Sequence, residues 1–272
     1  MGPIVINIDP VLLSLGHIHI GWYGIIVTLA IAVGVWVATR EAKRRGVSVD
    51  DTLGLASWAI VGGLIGARLF HVIDKLDYYI ANPLAALAVW QGGLAIWGAI
   101  VGGAVAAALY ARRHGLPLAR LADAATPALL VGQMIGRFAC VINGDSTGTP
   151  TDLPWAFVYV NPGAMVPPDL LGVPTHPYPV YEILWNSVVL GVVWILRSRV
   201  KREGILFLTY VSLYAVGRFA LSFVRREVIW FGGLQEAQVM SVIVLIAAVV
   251  ALVELLRRAR PTVRAAMVKA RR

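Results

Sequence analysis

Charge is scarce in this sequence. Asp, Glu, Lys and Arg together make up 14% of its 272 residues, against about 25% in a soluble domain. With 58% hydrophobic residues beside them, the composition predicts an integral membrane protein. The alternating ten-residue pattern of a membrane barrel is missing too; the apolar runs are long and uninterrupted, which selects helices. A single cysteine, Cys140, excludes an internal disulfide and argues against a thiolate metal cluster. No Lys or Arg precedes Arg40, and the first apolar run is too long for the core of a signal peptide, so no cleaved leader is expected. Glycine-rich phosphate loops, nucleotide motifs and metal-ligand clusters are absent, so neither cofactor nor metal is expected. Nor is there an inverted internal repeat of the transporter kind.

What is present is a series of seven apolar stretches, near 21–39, 52–72, 92–111, 121–142, 178–196, 205–224 and 237–256. Residues 1–20, with Asp9-Pro10, read as an interfacial lead-in, and 83–90 as a short surface helix. The net charge of +9 is distributed with a clear bias. Arg40, Lys43, Arg44 and Arg45 follow span one, Arg112, Arg113 and Arg120 span three, and Arg197, Arg199, Lys201 and Arg202 span five; seven more follow span seven. Eighteen of the 24 Lys and Arg therefore lie on one side. The positive-inside rule then puts the N-terminus outside and the C-terminus in the cytoplasm. Because the charge is explained by topology and by attraction to anionic headgroups, no nucleic-acid partner is expected. The expected fold is an all-α polytopic membrane protein of seven helices, one membrane domain over 1–272 with a small external head inserted at 143–177.

Three basic residues break this pattern. Arg68, Arg137 and Arg218 lie within or at the outer ends of spans two, four and six. An arginine at membrane depth costs roughly 3 kcal/mol on insertion scales, so each needs a partner. Structural pairing is one reading, for which Asp123 and Glu182 are the clear carboxylates, although Asp123 falls near the inner end of span four. The other reading is an anionic ligand, with phosphate the geometric match for guanidinium. On the same outer side lies the long segment 143–177, rich in Gly, Pro, Asp and Thr, a length that marks a functional or a disordered loop. Within it Trp155, Phe157 and Tyr159 alternate with smaller residues, which predicts a short strand and an ordered head.

These residues also fall into an ordered series of motifs. Gly136-Arg137 runs through Asn143-Gly144-Asp145 to Gly148. Trp22-Tyr23-Gly24 opens span one, Gly66-Ala67-Arg68-Leu69 lies in span two, and Trp90-Gln91-Gly92-Gly93-Leu94 leads into span three. His176-Pro177 precedes Tyr181-Glu182, and Tyr214 is followed by Gly217-Arg218-Phe219 and Arg225. Together they resemble the bacterial prolipoprotein diacylglyceryl transferase family over nearly the whole chain. The resemblance implies transfer of the diacylglyceryl group of phosphatidylglycerol to the thiol of a lipobox cysteine in a prolipoprotein signal peptide, with glycerol phosphate released. It implies a multi-pass protein of the bacterial cell membrane, acting towards the outer leaflet, whose partners are phosphatidylglycerol, prolipoproteins and membrane lipid.

By the same resemblance Arg137 and Arg218 would hold the phosphate, with Arg68 and Arg225 in support. Tyr23 and Tyr214 would orient the glyceryl or phosphate oxygens. Asn143, Asp145 and Gly148 would shape the turn over the headgroup, and Glu182 would anchor an arginine. Three positions depart from the family. Trp97-Gly98-Ala99 stands where some members carry a histidine, Cys140 where asparagine is common, and Ser222 where glutamate is common. They leave the proton acceptor for the substrate thiol unassigned, with His71 and His176 as outer-side candidates. Two other readings stand beside the transferase: a diverged relative acting on another anionic phospholipid, and a small-anion transporter.

Overall fold

The structure is a computed structural model that describes residues 2–16, 18–89 and 92–257. Trp90 and Gln91 of the motif before span three, and the basic tail from Arg258 onward, lie outside the described residues. The chain folds as two compact units, one over Ala38–Ala124 and the other built from the chain on either side of it.

Eight helices carry the described chain: α1 Trp22–Arg44, α2 Val49–Asp74, α3 Leu76–Ala81, α4 Ile96–Arg113, α5 Leu118–Asn143, α6 Tyr178–Leu196, α7 Ile205–Ser222 and α8 Glu236–Arg257. Among them α1, α2, α5, α6, α7 and α8 are long and apolar enough to cross a membrane, as a polytopic membrane protein requires. Their outward faces carry large apolar side chains, such as Leu29, Ile31 and Trp36 on α1 and Ile243, Ile246 and Val250 on α8, all exposed. Such surface suits lipid and not water. The expected third span coincides with α4, which is 18 residues long, rich in Gly and Ala, and closed by Arg112 and Arg113.

In the unit over Ala38–Ala124 the packing is dictated by glycine. α2 and α4 lie so close that a Cβ added at Gly62, Gly66, Gly98 or Gly102 would collide with the facing helix. Small residues let backbones approach where lipid gives no hydrophobic drive. Ser48 caps α2 by accepting the Asp51 amide at 3.0 Å, and Asp50 and Asp51 complement the helix dipole. Ala42, Val47, Ala111, Leu121 and Ala124 form the buried cluster. Asp123 pairs with Arg45 at 3.4 Å, at the end of α5 that the charge pattern assigned to the inner side. Of the expected surface helix, Pro83–Leu87 forms a 3-10 turn.

In the other unit Leu130, Val189, Val193, Leu206 and Tyr210 pack α5, α6 and α7 around one core. The Trp185 indole donates to the Leu213 carbonyl at 3.0 Å and lies over Gly217, where a Cβ would strike it. The N-terminal lead-in takes a form the sequence did not announce. Strand β1 (Ile4–Ile6) pairs in parallel with β4 (Phe157–Tyr159), Ile4 opposite Phe157 and Ile6 opposite Tyr159. Ile6, Phe157, Tyr159 and Val166 bury a second small core. Strands β2 (Val11–Leu15) and β3 (Ile18–Gly21) form a hairpin before α1, and β5 (Ile229–Phe231) with β6 (Leu234–Gln235) another between α7 and α8.

Candidate functional site

Glu182, 4% exposed, stands little more than a turn into α6 and is the centre of a charged cluster. Its Oε2 meets the Arg137 Nε from α5, and its Oε1 lies 3.7 Å from Arg218 Nη1 on α7. Arg218 Nη2 donates to Glu227 Oε1 at 3.0 Å, and Arg225 Nη1 reaches the same oxygen at 2.8 Å. The Tyr178 hydroxyl accepts from Arg218 Nη1, and its ring faces the Arg218 and Arg225 guanidiniums at 5.7 and 5.1 Å. Arg137 Nη1 approaches Ser146 Oγ at 3.4 Å and Cys140 Sγ at 3.6 Å. Three guanidiniums thus share two carboxylates. One positive charge is left over in a low-dielectric setting, where removing a partner is costly.

The turn after α5 is built to lie against this cluster. Gly144 takes φ +75°, and a Cβ there would meet Val166 and the Tyr159 ring, so only glycine fits both the conformation and the space. Asn143 is buried; its carbonyl accepts the Met165 amide at 2.7 Å. Ser146, Thr147 and Gly148 are buried as well, and Gly148 bridges to Arg225. A Cβ on Gly148 would sit 2.5 Å from His176 Cβ and 2.6 Å from the His176 carbonyl oxygen. Asp145 is exposed at the edge. Tyr159 donates to the Val141 carbonyl at 2.9 Å, and burial pushes its phenol pKa up.

Of the residues expected from the sequence, Arg137, Arg218, Arg225, Glu182 and Gly148 come together here, while Asn143, in the adjoining turn, makes its contacts with Met165. Tyr214 is within electrostatic reach of Glu182, Arg137, Arg218 and Arg225. Tyr23, half-exposed, is within reach of Arg137, Cys140 and Asp145. Arg68 belongs to the other unit. There its five N–H groups go to backbone carbonyls: Nε to Ala86 at 2.9 Å, Nη1 to Gly92 and Gly93 at 2.6 and 3.0 Å, and Nη2 to Ala85 and Ala88 at 2.5 and 3.4 Å. The Tyr79 ring lies 5.3 Å from its guanidinium carbon. His71 packs edge-on to Tyr79, and both line, with Arg68 and Tyr78, a cavity of about 140 Å³. Trp97 is the second residue of α4. His176 Nδ1 lies 3.2 Å from the Tyr181 hydroxyl, which also accepts from the Trp155 indole at 3.0 Å.

Sequence reasoning passed over Tyr178, Ser146 and Glu227. Tyr178 opens the fifth apolar run and Ser146 sits inside the motif, so position alone could have flagged both. Glu227 lies past the end of its span, where a search for carboxylates at membrane depth does not look. At the departure Ser222 the hydroxyl donates to the Arg218 carbonyl at 2.7 Å.

Residues 10–254 match the family model described as prolipoprotein diacylglyceryl transferase. A relative from Synechococcus elongatus is 34% identical over 265 residues, 93% of this chain and 90% of that one. One from Nostoc sp. is 37% identical over 240 residues, covering 85% of this chain and 84% of its own. A third, from Bacillus cereus, is 36% identical over 237 residues, or 87% of this chain and 88% of the relative. All three bear the name phosphatidylglycerol–prolipoprotein diacylglyceryl transferase.

Proposed function

The chain belongs to the prolipoprotein diacylglyceryl transferase family, and on that premise we propose that it moves the diacylglyceryl group of phosphatidylglycerol onto the thiol of a lipobox cysteine. This is the first step of lipoprotein maturation, and glycerol phosphate is the other product. The relatives' shared name favours this reading over a diverged lipid binder or a small-anion transporter. The observation that carries it is the pair Arg137 and Arg218, braced on one buried carboxylate with a net positive charge left over.

A thiol of pKa about 8.5 must lose its proton to attack. Its sulfur then forms a bond to the glyceryl carbon as the carbon–oxygen bond to phosphate breaks, and the electron pair leaves on the phosphate oxygen. Preorganised donors aimed at that developing charge lower the barrier most. Arg137 and Arg218 take this role, with Arg225 beside them and Glu182 holding the first two in place. Tyr23 and Tyr214 orient the glyceryl and phosphate oxygens, and Asn143, Asp145 and Gly148 shape the turn over the headgroup. Arg68 acts in support, by holding the carbonyls of Ala85, Ala86, Ala88, Gly92 and Gly93 ahead of α4.

The same reading makes α4 a seventh span, with the N-terminus outside, the C-terminus in the cytoplasm and 143–177 an external head. Basic ends support it: Lys43 and Arg44 close α1, Arg112 and Arg113 close α4, and Arg257 closes α8. Arg137 and Arg218 also lie towards the C-terminal ends of α5 and α7, but in this topology those two helices run outward, which suits a site facing the outer leaflet of the bacterial cell membrane.

The test is transfer by the purified protein in detergent, with phosphatidylglycerol and a lipobox peptide, followed by the peptide's mass. Product from the wild type that disappears in Arg137→Ala supports the reading. Folded wild type that binds the lipid and yields no product overturns it in favour of a lipid-binding relative.

A further inference from the structure

Glu227 lies five residues past the end of α7, in the connection to the β5–β6 hairpin. One of its oxygens, Oε1, accepts from both Arg218 and Arg225. Ser222, one turn on along α7, brings no carboxylate to the Arg218 guanidinium, and its hydroxyl donates to the Arg218 carbonyl. The carboxylate on the outer flank of Arg218 is therefore supplied from beyond the helix. Arg225, bridged through its backbone to Gly148, is thereby tied to both the turn and Arg218.

Building on the transferase reading, we propose that Glu227 is a positioning residue: it locks Arg218 and Arg225 in one orientation and trims the three guanidiniums to one net positive charge. That charge matches a phosphodiester, which is a monoanion. The leaving glycerol phosphate is a monoester whose second ionisation falls near pH 6, so it departs with more negative charge than the substrate brought. A site with one positive charge holds the substrate neutral without over-holding the product. Removing the Glu227 charge lets two long side chains wander and favours the product.

The experiment compares wild type, Glu227→Gln and Glu227→Asp in the phosphatidylglycerol and lipobox-peptide assay, with added glycerol phosphate as inhibitor. Glu227→Gln is expected to lose kcat by about 10- to 100-fold, as for a disturbed electrostatic site, while KM for phosphatidylglycerol does not rise and glycerol phosphate inhibits at lower concentration. Glu227→Asp, which keeps the charge, recovers part of kcat. A Gln variant with wild-type kcat and product inhibition overturns the proposal, as does an Asp variant no better than Gln or a raised KM with kcat unchanged. An inactive wild type would instead sink the transferase reading, so the two failures are distinguishable.

Discussion

The arginines set into the helices of this protein are held in two opposite ways. Arg68 gives all five N–H groups to the backbone carbonyls of Ala85, Ala86, Ala88, Gly92 and Gly93, so its donors are spent on its own fold. Arg137 and Arg218 instead lean on carboxylates, Glu182 and Glu227, which a stronger anion can share or displace. Carbonyls fix a guanidinium as a structural clamp; carboxylates hold one ready for exchange. Both meet the cost of charge in an apolar setting, and the choice of partner separates a strut from a ligand site.

The largest effect should come from truncating the exchangeable arginines. Arg137→Ala or Arg218→Ala is expected to lower kcat by on the order of 1,000-fold, the range for removing a donor aimed at developing charge, as measured by peptide mass. Next is Glu182→Ala, which leaves two guanidiniums without their common acceptor. Breaking a buried pair in this way costs about 3–5 kcal/mol, to be read as a fall in thermal unfolding temperature. Arg68→Ala orphans a set of carbonyls and is expected to cost about 2–4 kcal/mol, since bonds from charged donors are worth more than neutral ones. Its signature is lost stability with KM for phosphatidylglycerol little changed.

Smaller effects sharpen the picture at its edges. Gly148→Ala drives a methyl into His176 and should cost about 1–3 kcal/mol by overpacking, visible as a lower unfolding temperature. Asp169 accepts from Arg226 at 2.5 Å at an exposed position, and that bond holds its carboxyl below the usual carboxylate range. Its contribution is therefore present at neutral pH and lost as pH falls through the lowered value. At so exposed a site Asp169→Asn should leave the unfolding temperature unchanged within error.

Much of this was legible in the sequence because membrane burial writes itself in long apolar runs. The six helices long and apolar enough to cross a membrane lie within a few residues of the apolar runs, the largest departure being at the basic end of α1. There α1 continues to Arg44, since long cationic side chains keep their heads in water while the helix goes on. Helix α2 begins at Val49 because Ser48 caps it ahead of Asp50 and Asp51. Arg137, Arg218 and Glu182 were readable because polar residues in such runs need a reason. The β1–β4 pairing was not: three-residue strands about 150 positions apart show no period, and Ile4–Ile6 reads as ordinary apolar chain. The clamp on Arg68 was hidden because backbone carbonyls have no sequence signature. Glu227 was hidden because a carboxylate beyond the span folds back onto it.

The most direct test of the contrast is to replace each arginine by lysine and measure kcat/KM for phosphatidylglycerol on matched folded protein. Lysine keeps the charge and loses the planar fork that a phosphate reads. Arg137→Lys is expected to fall by about 100-fold with little change in unfolding temperature, as a donor aimed at the reacting group should. Arg68→Lys should stay within about tenfold of wild type and unfold at lower temperature, because what it loses is hydrogen bonds to its own chain. The account is contradicted if Arg137→Lys works like wild type, or if Arg68→Lys loses as much activity as Arg137→Lys with its stability intact.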